Sequence, residues 1–152
     1  MSDCARPVAI GEGRVLRKGG DAAIIAIGTM VRPSLEAAGL LAGDGIEAAV
    51  FDARFLKPLD AGATVSLVRG AKAVFTVEEN SCIGGLGDAV ALRLSMEGVE
   101  TPVSRIGIPD LFVPHGERGS LLDEIGLTAV HIAETVRGHL SAAEKGSEGG
   151  YR

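Results

Sequence analysis

The residues with the most chemistry lie in one stretch, Ala73–Val90, AVFTVEENSCIGGLGDAV. Two adjacent glutamates, Glu78 and Glu79, precede Cys82 and a glycine turn made by Gly84, Gly85 and Gly87. A carboxylate pair can act as general acid and base when both groups reach one substrate atom. Adjacent residues at a strand end point to opposite faces, so this pair does not converge. The alternation instead makes them corner residues: one accepts backbone N–H groups of the glycine turn, and the other faces a neighbouring chain. The turn opens a helix, and N–H groups at a helix N-terminus attract anions. The pattern Gly85-x-Gly87-x-x-Val90 nevertheless lacks the third glycine of the dinucleotide fingerprint. Asp88, at the helix start, would also repel a phosphate.

Cys82 has no histidine in the turn or its flanks to serve as a base, so it reads as small buried filler. His115 sits between Pro114 and Gly116 in FVPHGER and reads as a hydrogen-bonded structural residue of a loop. His131 and His139 fall on one helix, without a third ligand at metal spacing. No GxSxG, P-loop or HExxH motif is present. The sequence therefore assigns no catalytic, cofactor-binding or metal-ligating residue.

The elements that must position these residues follow from periodicity. Gly13–Gly20 predicts a short strand closing on a glycine turn. Asp21–Thr29, DAAIIAIGT, is an apolar run of strand length and predicts a central strand covered on both faces. Pro33 suits a first helical turn, Leu35, Ala38 and Leu41 recur at helical spacing, and Gly43 and Gly45 end that helix. Ile46–Phe51 is the next strand. Asp60 caps a helix over Ala61–Arg69 that stops at Gly70. Val74–Val77 is the third core strand, and the helix Gly87–Met96 after it is apolar enough to be well buried. A strand at Val103–Ile106 precedes a short helix near Ser120–Ile125. The closing helix starts from a capping Thr128 and puts Ile132, Val136 and Leu140 on one stripe.

This alternation predicts a three-layer α/β/α domain around a five-stranded, mostly parallel mixed sheet. The link between the first two strands is too short for a crossover helix, so they are expected to pair antiparallel at one edge. Residues 1–12 read as a linker, 13–140 as the domain and 141–152 as a polar, glycine-rich disordered tail.

Composition narrows the function classes. Of the 152 residues 46% are hydrophobic but only 3% aromatic, so the core is built from Val, Ile, Leu and Ala. A net charge of −5 with no basic stripe argues against nucleic acid. No apolar run is long enough for a membrane span, and the N-terminus lacks the pattern of a signal peptide. The two cysteines, Cys4 and Cys82, make no disulfide framework and are expected to be reduced in the cytoplasm.

Three segments in order resemble one family. Asp52–Asp60, DARFLKPLD, is similar to the strand-to-helix junction in the C-terminal domain of transketolase-like, thiamine-diphosphate-dependent enzymes. Thr76–Val90, TVEENSCIGGLGDAV, is similar to the glutamate corner and glycine turn of that domain. Gly107–Gly116, GIPDLFVPHG, resembles the segment after its last strand, and Gly126–Leu127 begins the closing helix as in that family. The wording comes nearest to the 1-deoxy-D-xylulose-5-phosphate synthases, whose approach to their third domain is similar to Gly11–Val31 here.

The resemblance implies the same doubly covered mixed sheet. It also implies a parent transferase that condenses pyruvate with glyceraldehyde 3-phosphate, with loss of carbon dioxide, for isoprenoid and vitamin synthesis. In the complete enzyme, thiamine diphosphate and magnesium sit between a pyrophosphate-binding and a pyrimidine-binding domain. Neither domain, nor the GDG…N motif of the first, is in this sequence. The third domain packs in the homodimer and supports the other two. The chain is then expected to be a fragment or split subunit, inactive alone and cytoplasmic, with the two cofactor domains as partners. Glu78, Glu79, Gly84, Gly85, Gly87, Asp110 and His115 become candidates for an interface or channel wall. A split transketolase or an oxo-acid dehydrogenase β subunit is the alternative within the family. A stand-alone module binding a small anion is the alternative outside it. Apolar surface left bare in such a domain also predicts self-association into a dimer or larger species.

Overall fold

The computed structural model describes residues 7–148. Its elements are β1 (Arg14–Arg17), β2 (Ala22–Ala26), a 3₁₀ turn (Gly28–Met30), α1 (Val31–Gly43), β3 (Ala48–Asp52), α2 (Ala61–Arg69), β4 (Ala73–Ser81), α3 (Leu86–Met96), β5 (Val103–Ile108), α4 (Arg118–Glu124) and α5 (Ala129–Glu148). One five-stranded sheet runs in the order β1-β3-β2-β4-β5. β2, β3, β4 and β5 are parallel, and β1 alone is antiparallel. This is the three-layer mixed sheet that the alternation predicts.

All five residues of β2 are buried, as a central strand requires. Ala22, Ile24 and Ala26 face one layer, where α1 and α5 contribute Ala38, Leu41, Ile132 and Val136. Ala23 and Ile25 face the other, against Val65 and Val68 of α2 and Leu86, Val90 and Leu94 of α3. The period-2 alternation of the strands thus sorts a nearly aromatic-free core into two slabs. The Asp60 carboxylate accepts the Ala63 N–H at 3.0 Å and caps α2, as its place in the sequence predicts. Its other oxygen accepts from the Gly13 N–H, tying the lead into β1 to the same corner.

β1 corrects the expected pairing. Its antiparallel partner is β3, with Arg14 opposite Asp52, and not β2. The four-residue link does not make a hairpin because β3 lies between the two strands. Gly19 makes the crossing possible. A Cβ there would lie 2.5 Å from the Ala48 carbonyl carbon and 2.6 Å from the Ala49 nitrogen. Only a residue without a side chain passes so close to the start of β3.

Three further differences concern two boundaries and the burial of one helix. β4 runs on through Glu78–Ser81, so the glutamates lie within the strand and not at a corner beyond it. α3 is less buried than its composition suggests: Leu92 and Met96 are 65% and 69% exposed, because only one face of the helix meets the sheet and α2. α5 continues to Glu148, so Ser141–Glu148 is helical where a tail is expected. Ala142, Ala143, Glu144 and Lys145 are strong helix formers, which lets the closing helix propagate. Residues 1–6 of the predicted linker and 149–152 of the predicted tail lie outside the described residues.

Gly19→Ala is expected to destabilise the fold by about 1–3 kcal/mol, through forced displacement of β3. Gly39→Ala, in α1 with no atom near the added Cβ, is expected to stabilise it by about 0.5–1 kcal/mol. Urea unfolding midpoints read both. A Gly19→Ala midpoint equal to that of the parent chain would show that the crossing has slack.

Candidate functional site

Parallel strands direct their carboxyl ends, and the loops that follow, to one edge of the sheet, where open α/β folds place function. Here that edge gathers the loops after β3, β4 and β5. Glu78 is 3% exposed and projects to the α3 side of β4. Its carboxylate accepts the Leu86 N–H at 2.8 Å and the Gly87 N–H at 3.0 Å. Two donors that a helix start leaves without intrahelical partners are thus satisfied by one buried carboxylate, on the favourable end of the helix dipole. The expectation that one glutamate accepts from the turn holds for Glu78.

The turn glycines follow from that contact. A Cβ on Gly85 would come within 2.6 Å of the Glu78 carboxyl carbon. A Cβ on Gly87 would come within 2.9 Å of Thr76 Oγ1 and of the Arg105 side chain. Gly84 has φ +78°, a conformation that L side chains rarely adopt, and its N–H donates to the Asp88 carboxylate. Asp88 also pairs with Arg105 of β5 at 2.7 Å.

Glu79 points to the opposite layer. Its carboxylate accepts from Arg118 Nε of α4 at 2.8 Å, from a second Arg118 nitrogen, and from the Thr29 hydroxyl of the 3₁₀ turn. The Arg118 guanidinium, and after it the Thr29 hydroxyl, holds the Glu79 carboxyl below its ordinary pKa. Neither Thr29 nor Arg118 was singled out from the sequence. The signal for Arg118 is its position: a cation in the first turn of a helix opposes the dipole and calls for an anionic partner.

The remaining candidates do not converge on these two. Cys82 is half-buried, and burial followed by the charge of Glu78 pushes its thiol pKa up, the reverse of an activated nucleophile. His115 and Asp110 are exposed on the loop after β5. The His115 ring has no hydrogen bond among the described residues, contrary to the structural role expected of it. His131 bonds Thr128 Oγ1 at 2.8 Å. His139 meets Ser104 Oγ at 3.3 Å and the Phe75 ring edge-on.

The arrangement suits neither an anion nor a metal–diphosphate pair. The N–H groups that open α3 are already held by Glu78, and the turn carries a second carboxylate in Asp88. No group of three or more His, Cys, Asp or Glu among the described residues could hold a metal ion. These residues therefore do not fit thiamine diphosphate and magnesium. No helix of the described residues is long and apolar enough to cross a membrane.

Comparison with known proteins adds a family to this geometry. The profile of the transketolase C-terminal domain matches residues 11–132. A 1-deoxy-D-xylulose-5-phosphate synthase of Gloeobacter violaceus is 52% identical over 141 residues, 93% of this chain and 22% of that protein. The synthase of Heliobacterium modesticaldum is 48% identical over 86% of the chain and 20% of its own length. The chain thus spans about a fifth of the curated relatives it matches. Among solved structures, a split gene transketolase described as an inactive β4 tetramer superposes with a TM-score of 0.81 at 42% identity, over 90% of this chain and 44% of that one. A Pichia stipitis transketolase shares the fold at 19% identity, with a TM-score of 0.65 over 86% of this chain and 18% of its own.

Glu78→Gln leaves one helix N–H facing an amide NH₂ in a buried site, and is expected to cost about 2 kcal/mol in denaturant unfolding. Unchanged stability would show that the carboxylate does not anchor α3.

Glu79→Gln is expected to lower the melting temperature by a few degrees at neutral pH. The Glu79 pKa is depressed in the fold, so its contribution is full above the ordinary glutamate value of 4.5 and is lost as pH falls through the lower folded value. The gap between parent and variant should therefore close in acid. A gap that persists there would contradict the ion-pair account.

Proposed function

The chain belongs to the transketolase C-terminal domain family, and on that premise we propose that it is the assembly and support domain of a 1-deoxy-D-xylulose-5-phosphate synthase. The single observation that carries this reading is the 52% identity to the Gloeobacter violaceus synthase across nearly the whole chain. The complete enzyme, in this reading, is a cytoplasmic homodimer. It binds thiamine diphosphate and magnesium in its other two domains, and joins pyruvate to glyceraldehyde 3-phosphate at the head of isoprenoid synthesis. This chain supplies no group to the bond-making step. Its part is mechanical: Glu78 fixes α3 to β4, Glu79 and Arg118 fix α4, and the two together hold the loops with Asp110 and His115 at the sheet edge. Those loops form the wall or interface that the other domains meet.

A second arrangement, a split subunit that joins its cofactor-binding partner without a covalent link, is favoured by the likeness to the split gene transketolase. An immunoblot of the native gene product separates the two. A band several times larger than 15.5 kDa gives the fused enzyme, and a band near that mass gives the subunit.

The reading predicts that calorimetric titration of this chain with thiamine diphosphate and magnesium releases no binding heat, and that the chain alone turns over no pyruvate. Saturable cofactor binding by the isolated chain would overturn it.

A further inference from the structure

Glu78, Glu79, Asp88, Arg105 and Arg118 at the carboxyl edge are matched within the chain, but the large apolar groups there are bare. Phe112, on the loop after β5, is 103% exposed and touches nothing of its own fold. Leu111 beside it is 55% exposed, and Ile83 on the loop after β4 is 62% exposed. Leu56, on the loop after β3, is also uncovered, as are Val8 and Ile10 of the lead-in. These six are more than half of the large apolar side chains that stand exposed among the described residues. The rest are spread over β1, α1, α3 and α5.

The lead-in reaches the sheet at this same edge. Arg14 pairs with Asp52 at the carboxyl end of β3, the Gly13 N–H donates to Asp60, and Gly11 passes against Pro58. A polypeptide joined ahead of this chain would thus be tethered on the side of the bare apolar groups. The matched relatives carry roughly four fifths of their length outside the region this chain covers. A tether raises the effective concentration of that material to the order of millimolar, so a modest apolar contact suffices to hold it.

The loop that carries Phe112 is held at both ends. Its loop is bounded by β5, hydrogen-bonded to β4 as far as Ile108, and by α4, which Arg118 clamps to Glu79. Aromatic side chains, Phe among them, are enriched in the cores of protein interfaces relative to the rest of the surface.

We propose that the carboxyl edge of the sheet, with Phe112 as its anchor, docks the remainder of the transketolase-type polypeptide, which receives the ring in an apolar cleft. The inference rests on the parent-enzyme reading above.

The test builds this chain into the Gloeobacter violaceus synthase in place of the matching segment. Backbone hydrogen exchange of Ser81–Gly85 and Pro109–His115 is followed with synthase turnover, and β2 serves as the folding control. Exchange in those two segments is expected to be about tenfold or more slower in the chimera than in the 152-residue chain alone. Phe112→Asp should restore the fast exchange, while Leu92→Asp, on the outer face of α3, should not. Phe112 makes no internal contact, so its variant should leave β2 protection unchanged. Equal exchange in chimera and isolated chain, or slow exchange that survives Phe112→Asp, overturns the docking surface even in an active chimera. Slow exchange that depends on Phe112, in a chimera without turnover, upholds the surface and overturns the reading of this chain as the support domain of such a synthase.

Discussion

A buried carboxylate holding two helix N–H groups is the contact on which the carboxyl edge depends. A carboxyl group at 3% exposure is tolerable only if its oxygens are matched. Glu78 meets that condition with the donors that the start of α3 leaves free. The match dictates the surrounding sequence. β4 must extend far enough to carry Glu78 beside the helix start. Gly85 and Gly87 must lack side chains, since a Cβ at either would strike the carboxylate or Thr76 and Arg105. Leu86 must then enter the core, where it lies fully buried against Val90 and Leu94. One acidic residue thereby sets the shape of a turn and the depth of a helix.

The adjacent Glu79 does the same for the other layer by a weaker means. Strand alternation sends it away from α3 and toward the 3₁₀ turn and α4, where Arg118 and Thr29 converge on it. Its ion pair is half in solvent and therefore screened, so it positions more than it stabilises. Two neighbouring glutamates thus pin the opposite faces of the sheet edge, one by a buried helix cap and the other by an exposed clamp. Opposite faces are also why they are not an acid–base pair.

What the sequence made legible divides along a physical line. Local signals were readable: Asp60 as a cap, the apolar run of β2 as a central strand, the stripe of α5, and one of the two adjacent glutamates as the acceptor for the turn. Each depends on residues within about ten positions of one another. Non-local choices were not. β1 bypasses its sequence neighbour because β3 occupies the place beside β2, and the sign of that crossing, Gly19 against Ala48 and Ala49, lies in two segments far apart in the chain. The Arg118 clamp spans 39 residues, and only the misplaced charge in a helix first turn hints at it. The exposure of Leu92 was hidden for another reason: composition shows that a helix is apolar, but not how many neighbours exist to cover it.

The state of the edge bears on the choice between an assembly domain and a small-anion module. A site built to take a charged small molecule presents unmatched donors or charges, since these give affinity and selectivity. Here the donors that open α3 already bond Glu78, the Gly84 N–H bonds Asp88, and Arg118 and Arg105 each hold a carboxylate of the same chain. An incoming anion would have to displace a tethered carboxylate that sits at the same donors without paying translational entropy. Beside the exposed Asp110 and His115, what the edge leaves uncovered is hydrocarbon, with Phe112 foremost. Water gives up such surface to another apolar surface, not to a phosphate. The same bonds that close the glycine turn to ligands therefore make the edge stiff enough to be docked upon, which is the property a support domain needs.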